Sequence, residues 1–251
     1  MKTFKAYFKK EILESIRQYR YLILAIGILL FAIMDPIMLK LLPVIMKSQI
    51  PADLSSLMVF TPKTAAQNYI KDLYQVGLMF VIFALSGTLS DEISNGKLIF
   101  PYSMGGRPSG IVLAKVLHNI STTAILTFIG FSLNYYYICI LFTGEALSYN
   151  QILISAFLTI VFYSFAITLV TLFSSIFKKG IISGAITISI IYLTSTLANF
   201  KSLGKFIPYK LIAGANTFSF KSMEFPVIFT VIECIIFAVI TIQRMKKVEV
   251  I

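Results

Sequence analysis

Six stretches of the chain are apolar for roughly 20 residues, about the length a helix needs to cross a hydrocarbon core of about 30 Å. They run Tyr21 to Leu42, Leu73 to Ser90, Val116 to Phe142, Ile152 to Phe177, Gly180 to Phe200 and Pro226 to Gln243. Inside a bilayer the backbone N–H and C=O groups find no water, so each run has to bond internally as a helix. The expected fold is all-α: a polytopic membrane protein with one transmembrane domain over 1–251 and a six-span core over 21–243. Composition supports this, since only 13% of residues are charged where soluble domains carry about 25%. Cys139 and Cys234 lie within apolar runs, and the chain has one histidine. Neither a disulfide framework nor a metal set is expected from that inventory.

The net charge is +11. Its cations fall between the apolar runs and form no basic stripe with interleaved aromatics, so nucleic acid is not an expected partner. They set topology instead. With both termini in the cytoplasm, 14 of the 22 cations lie on inner segments, including Arg17, Arg20, Arg107 and Arg244, as the positive-inside rule requires. The tail 244–251 is then cytoplasmic. No soluble domain is expected: the longest loops are the outer ones, 47–72 and 201–225, and an inner one over 91–115.

Residues 1–20 read as an amphipathic helix lying on the inner leaflet. Phe4, Tyr7, Phe8, Ile12, Ile16 and Tyr19 take one half of a helical wheel, and Lys9, Lys10, Glu14, Arg17 and Arg20 the other, with Lys5 and Leu13 as exceptions. The segment is longer than the charged part of a signal peptide, and no small-residue cleavage pattern follows it.

The inner loop carries the most information. It reads Asp91-Glu92-Ile93-Ser94-Asn95-Gly96-Lys97-Leu98, and later Arg107-Pro108-Ser109-Gly110 up to Lys115. Asn95-Gly96 is a turn signal and Pro108 starts a helix, so a short helix is expected at about 97–104, hanging below the membrane. A plain connector needs only a few residues, and 25 point to a surface made for a partner. Gly105 and Gly110 have the glycine spacing of a phosphate loop, but Ile111-Val112 follow where Lys and Ser or Thr are needed. The chain is therefore not expected to be an ATPase or to bind a cofactor.

An amphipathic first helix, six spans, and an inner loop with Glu92, Gly96, Leu98 and a lysine 19 positions beyond the glycine, Lys115, together resemble an ABC type-2 permease. That is the membrane subunit of an ATP-driven exporter. The resemblance covers nearly the whole chain, and its specific part is this loop. Family members often carry Pro and then Ser-Arg before the helix, where this chain has Gly105 and Arg107-Pro108. It implies a coupling helix seated in a groove of separate cytoplasmic ABC ATPase subunits, which hold ATP and Mg, and a second permease copy or sister permease around a central path. Asp91, Glu92, Gly96, Leu98, Ile99, Phe100, Arg107 and Lys115 are the expected coupling residues, with Leu98, Ile99 and Phe100 in the groove and Arg107 or Lys115 pairing acids beside it. A bacterial cytoplasmic membrane is the implied location. The cargo is expected to be amphiphilic, and similarity to peptide exporters of Gram-positive bacteria, such as those that secrete phenol-soluble modulins, favours amphipathic antimicrobial or toxin-like peptides over lipids or drugs.

Polar residues within spans are costly and face cavities or partners. Glu233 near the middle of the sixth run, Asn134 in the third and Asp35 in the first are the translocation candidates. Asp35 precedes Pro36, which is expected to break or kink the first span outward of Met34 and leave Asp35 capping a helix fragment near the outer interface. Gly180 and Gly184 are read as close helix packing rather than a dimer seam, and His118 as a solvated residue at the membrane boundary. Two other classes stay open: an intramembrane enzyme using Asp91-Glu92 or Glu233, and a non-transporting assembly subunit.

Overall fold

In the computed structural model, residues 2–46, 60–144, 147–198 and 204–247 are described. Their regular structure is helical throughout: α1 (Lys2–Arg17), α2 (Arg20–Met46), α3 (Pro62–Asp72), α4 (Leu78–Ser94), α5 (Ile99–Ser103), α6 (Pro108–Leu141), α7 (Tyr149–Ile176), α8 (Gly180–Leu197), α9 (Tyr209–Ala215) and α10 (Glu224–Lys246). A π-helical turn, Leu73–Gly77, joins α3 to α4, and a 3₁₀ turn, Gly204–Phe206, precedes α9. Six helices are long and apolar enough to cross a membrane: α2, the α3–α4 unit, α6, α7, α8 and α10.

Helix α7 is the hub. A capping box starts it, with Ser148 and Gln151 each accepting the other's backbone N–H. It packs against α4, α6, α8, α9 and α10, and 72% of its most apolar window is buried against 17% for α10. Around it lies the main core, with Leu158, Phe162, Tyr163, Ala166 and Val170 from α7 itself. A second, smaller core gathers at the end of the bundle that carries α1, from Tyr7, Leu89, Leu98, Ile111, Val112, Ala114, Val116 and Met245.

Three expectations change. The first span is not broken at Pro36: α2 runs through both Pro36 and Pro43. Proline removes the donor that would reach the carbonyl four residues back, Ala32, and Asn134 of α6 replaces it, donating from Nδ2 to Ala32 O at 3.3 Å. Lys40, which interrupts the same run, lies over the Phe142 ring at 5.7 Å from its centroid. The second span begins at Pro62 rather than Leu73. Thr61 caps it, accepting from Thr64 N–H while Thr64 Oγ1 accepts from Thr61 N–H. The latter part of the expected outer loop 47–72 is thus helix, and 47–59 lies outside the described residues. Within 201–225, the 3₁₀ turn and α9 replace irregular chain. The residues 201–203, the expected end of the fifth span at 199–200 and the tail beyond 247 also lie outside the described residues.

The π turn shifts the backbone bonding of the α3–α4 unit, with Leu78 N–H reaching Leu73 O, and side chains of α7 and α8 add bonds to its carbonyls. Tyr163 donates to Leu73 O at 2.8 Å and Tyr192 to Gln75 O at 2.6 Å. Gly180 and Gly184 bring α8 onto α4 within the chain: a Cβ at Gly180 would stand 2.8 Å from Gly87 Cα, and one at Gly184 3.1 Å from the Phe83 ring.

Candidate functional site

The loop between α4 and α6 is built by two glycines in left-handed conformation. Gly96 has φ +64 and Gly105 φ +75. At the first, Lys97 N–H donates to Glu92 O and Gly96 N–H to Ile93 O; at the second, Gly106 N–H reaches Pro101 O and Gly105 N–H reaches Tyr102 O. Both are Schellman closures, in which a glycine past the helix end lets two orphan carbonyls find donors. They bracket α5, so the helix expected at 97–104 is one turn long, Ile99–Ser103.

Within this turn the apolar side chains divide. Ile99, Phe100 and Met104 are exposed, Phe100 at 72%. Leu98, expected beside them in a partner's groove, is buried in the chain's own second core. The Schellman turn points it inward, one residue before the exposed pair. Tyr102 donates to Met245 O at 3.4 Å, tying α5 to the end of α10. Burial, and then the charge of Glu92, hold its phenol above its ordinary range and so protonated. Asp91, Lys97 and Arg107 are exposed.

Glu92 and Lys115 are both buried, and they meet. Lys115 Nζ is 3.0 Å from Glu92 Oε1 and donates to Glu11 Oε1 at 2.6 Å. Lys10 donates to Glu92 and stands 3.3 Å from Glu14 Oε2. Arg20 approaches Glu11 at 3.6 Å and Glu14 at 3.8 Å. Three acids and three cations thus join α1, the start of α2, the end of α4 and the start of α6, with formal charge balanced. Desolvation pulls the Lys10 ammonium down, but Glu92, Glu14 and Glu11 outweigh it and hold it above its ordinary value. For Glu14, burial raises the carboxyl, and Lys10, Lys115 and Arg20 overcome that and hold it below. Tyr7, pushed up by burial and then by Glu92, stays neutral under the Lys10 ammonium, 5.0 Å from its ring centroid.

Lys115 was expected to be a candidate for pairing with a partner's acids. It is buried, and both its carboxylates come from its own chain, so of the two cations expected to pair with a partner only Arg107 is exposed. The carboxylates of Glu11, Glu14 and Glu92 lie within 4.8 Å of one another, a spacing that could hold a metal ion. Lys10, Lys115 and Arg20 already supply the positive charge there.

Helix α1 does not divide as its wheel predicts. Tyr7 packs into the second core with Phe4 and Phe8 against it, while Glu11 and Ser15 are buried on the same face. Ile12, Ile16 and Tyr19 are exposed. His118, expected to be solvated, is buried: Tyr21 Oη lies 2.8 Å from Nε2, Asn119 Oδ1 3.2 Å from Nδ1, and the Phe8 ring stands edge-on at 5.7 Å.

No protein-family model, no curated protein and no solved structure matches the chain. Its residues and their geometry carry the functional argument.

Of the intramembrane candidates, Asn134 lies where α6 meets α2, and Asp35 where α2 meets α3. Asn134 serves the Ala32 carbonyl, and Asp35, inside a continuous helix rather than capping one, lies against Asp72 of α3. Asp72 also accepts from Asn68 at 3.3 Å. Glu233 is on α10, half-buried, and its Oε2 is buried with no hydrogen-bond partner among the described residues. Sequence reading missed a stripe on α6: Asn119 Nδ2, Thr123 Oγ1 and Thr127 Oγ1 are buried one helical turn apart, likewise without partners. Their four-residue spacing was the available signal. It also missed Glu11, hidden among the charges of an amphipathic helix.

Proposed function

We propose that this chain is the membrane subunit of an ATP-driven exporter of the ABC type-2 permease kind, working with separate cytoplasmic ATPase subunits and a second permease chain. The observation that carries the reading is the braced turn at α5. Two glycine caps present Ile99, Phe100 and Met104 to the surroundings on a loop outside the spans, and a buried ion-pair network roots that loop in the bundle. Large exposed apolar side chains beyond the apolar spans mark a contact surface. A loop rooted this firmly can pass a push on α5 to α4 and α6, because Glu92 and Lys115 join the ends of both.

In this reading α1 lies on the inner leaflet with Ile12, Ile16 and Tyr19 toward lipid, both termini are cytoplasmic, and the location is a bacterial cytoplasmic membrane. ATP and Mg belong to the partner. Arg107 pairs with an acid of that subunit. The cargo is an amphiphile that passes between two such chains, with amphipathic helical peptides favoured over lipids or drugs, and Glu233 offers it a polar handle.

The test is recovery of a phosphate-loop ATPase with the tagged full-length chain from native membranes, followed by peptide export from vesicles holding the complex. Burial of an aromatic such as Phe100 is worth about 1.5–3 kcal/mol, so Phe100→Ala is expected to weaken the ATPase contact by roughly tenfold or more while leaving insertion intact. Gly96→Val should do the same through the backbone, since φ +64 excludes a β-branched residue. If the double variant kept its ATPase and its export rate, the reading would be given up.

A further inference from the structure

A groove of about 540 Å³ opens between α1 and the Gly96 turn, lined by Lys9, Lys10, Leu13, Glu14, Arg17 and Lys97 among others. Two of these are already committed: Lys10 and Glu14 belong to the ion-pair network. The other three cations, Lys9, Arg17 and Lys97, are exposed and make no ion pair or side-chain hydrogen bond among the described residues. Beside them α1 exposes Ile12, Leu13 and Ile16, at 37, 48 and 57%. Two unpaired cations of α1, Lys97 of the neighbouring turn and a strip of exposed aliphatic side chains on α1 thus lie around one concave surface.

We infer that this groove seats the headgroup of an anionic phospholipid, with its phosphate among Lys9, Arg17 and Lys97 and its acyl chains along Ile12, Leu13 and Ile16. The charge calls for an anion, and Arg17 adds a planar fork suited to phosphate oxygens. The adjoining aliphatic strip decides the source, because a free phosphate would satisfy the cations and leave that strip uncovered. Each basic residue near an anionic membrane surface contributes to such attraction, and here the loop cation Lys97 joins two from α1, so the seat spans two chain segments. The inference rests on α1 lying at the membrane surface, as proposed above, and is independent of what the chain exports.

The experiment reconstitutes the full-length chain in vesicles of phosphatidylglycerol and phosphatidylcholine and measures the lipid kept on the protein after mild extraction, by native mass spectrometry. The wild-type chain is expected to retain phosphatidylglycerol in preference. The triple variant Lys9→Ser, Arg17→Ser, Lys97→Ser should lose that preference by about a hundredfold, at about fivefold per cation. Lys63→Ser, Lys205→Ser, Lys221→Ser, which removes three exposed cations elsewhere, should keep it. All six side chains are exposed, so neither variant threatens the fold. Equal retention in wild type and the first variant, or an equal fall in both variants, would overturn the inference. Unchanged lipid retention with loss of a co-purifying ATPase would also overturn it, assigning the groove to a protein partner. Preferential retention without any ATPase would uphold it while counting against the exporter.

Discussion

The two ends of the bundle treat polar groups in opposite ways. At the α1 end, charges come in opposite pairs: Glu11, Glu14 and Glu92 against Lys10, Lys115 and Arg20. Toward the other end the acids Asp35 and Asp72 face each other, and the bonds that hold the helices come from neutral groups, Asn134, Tyr163 and Tyr192. Both sets of bonds reach far along the chain, but the charged groups link four elements into one network, whereas each neutral group meets a single backbone carbonyl beside a proline or a π turn. Ion pairs between separate elements can part and re-form as those elements move. A carbonyl freed by Pro36 has to be served wherever the helix goes. The α1 end is therefore held by exchangeable ion pairs, and the other by hydrogen bonds to fixed backbone carbonyls.

The sharpest way to break this contrast is Lys115→Met, which keeps much of the volume and removes the cation shared by Glu11 and Glu92. Stranding buried carboxylates in this way costs about 3–5 kcal/mol, so a large fall in the detergent unfolding midpoint is expected, partly reversed by adding Glu11→Gln. A loss under about 1 kcal/mol would mean that the network does not hold the end together. At the other end, Asn134→Leu leaves Ala32 O buried without its partner and should cost about 1–3 kcal/mol. The same variant combined with Pro36→Ala, which restores the helical donor, should recover most of that loss. Failure to recover would show that Asn134 does something besides serving the proline.

A smaller effect concerns the elbow between α1 and α2, where Tyr19 is held at φ +54 with its side chain exposed. Left-handed backbone costs a residue of this kind about 1–2 kcal/mol, and asparagine tolerates it better. Tyr19→Asn should raise the unfolding midpoint in detergent slightly; a fall would show that the ring's contacts outweigh the strain.

The smallest expected effect is with pH. Glu14 is held below its ordinary 4.5, so its contribution is full above pH 4.5 and fades as pH falls through the lowered value. Lys10 is held above its ordinary 10.5, so its contribution is full below pH 10.5 and fades as pH rises past it. Docking of α1 should therefore be flat between those limits and loosen outside them. Labelling of Ser15→Cys, a buried position on α1, would follow it. Partial exposure of both groups screens the effect. Glu14→Gln should abolish the acid arm alone, and an unchanged acid arm would locate it elsewhere in the network.

How much of this was legible beforehand depends on the range of the interaction. Gly96 and Gly105 mark the two turns because a left-handed residue is a local demand with a local signature. Thr61-Pro62 followed by Thr64 was an equally local helix start, passed over because the strongly apolar run began only at Leu73. Pro36 was read as a break because its effect on its own helix is local, while its remedy comes from Asn134, 102 residues away from the carbonyl it serves. The same distance hid the charge network. Lys115 and Glu11 are separated by 104 positions and Lys10 and Glu92 by 82, so the lysine of the loop motif read as a surface residue.

Sequence by itself determined six apolar helices, the extra amphipathic helix before them and a glycine-punctuated loop. Solvent and backbone geometry act on each short stretch separately, and a bilayer admits little else. Tertiary structure alone decided which charges are buried and paired, that Leu98 turns inward while Phe100 faces out, and that α2 passes through its prolines unbroken. Those outcomes depend on what a second segment places alongside, because a buried charge or an orphan carbonyl is tolerable only when a partner from another helix arrives within hydrogen-bond reach.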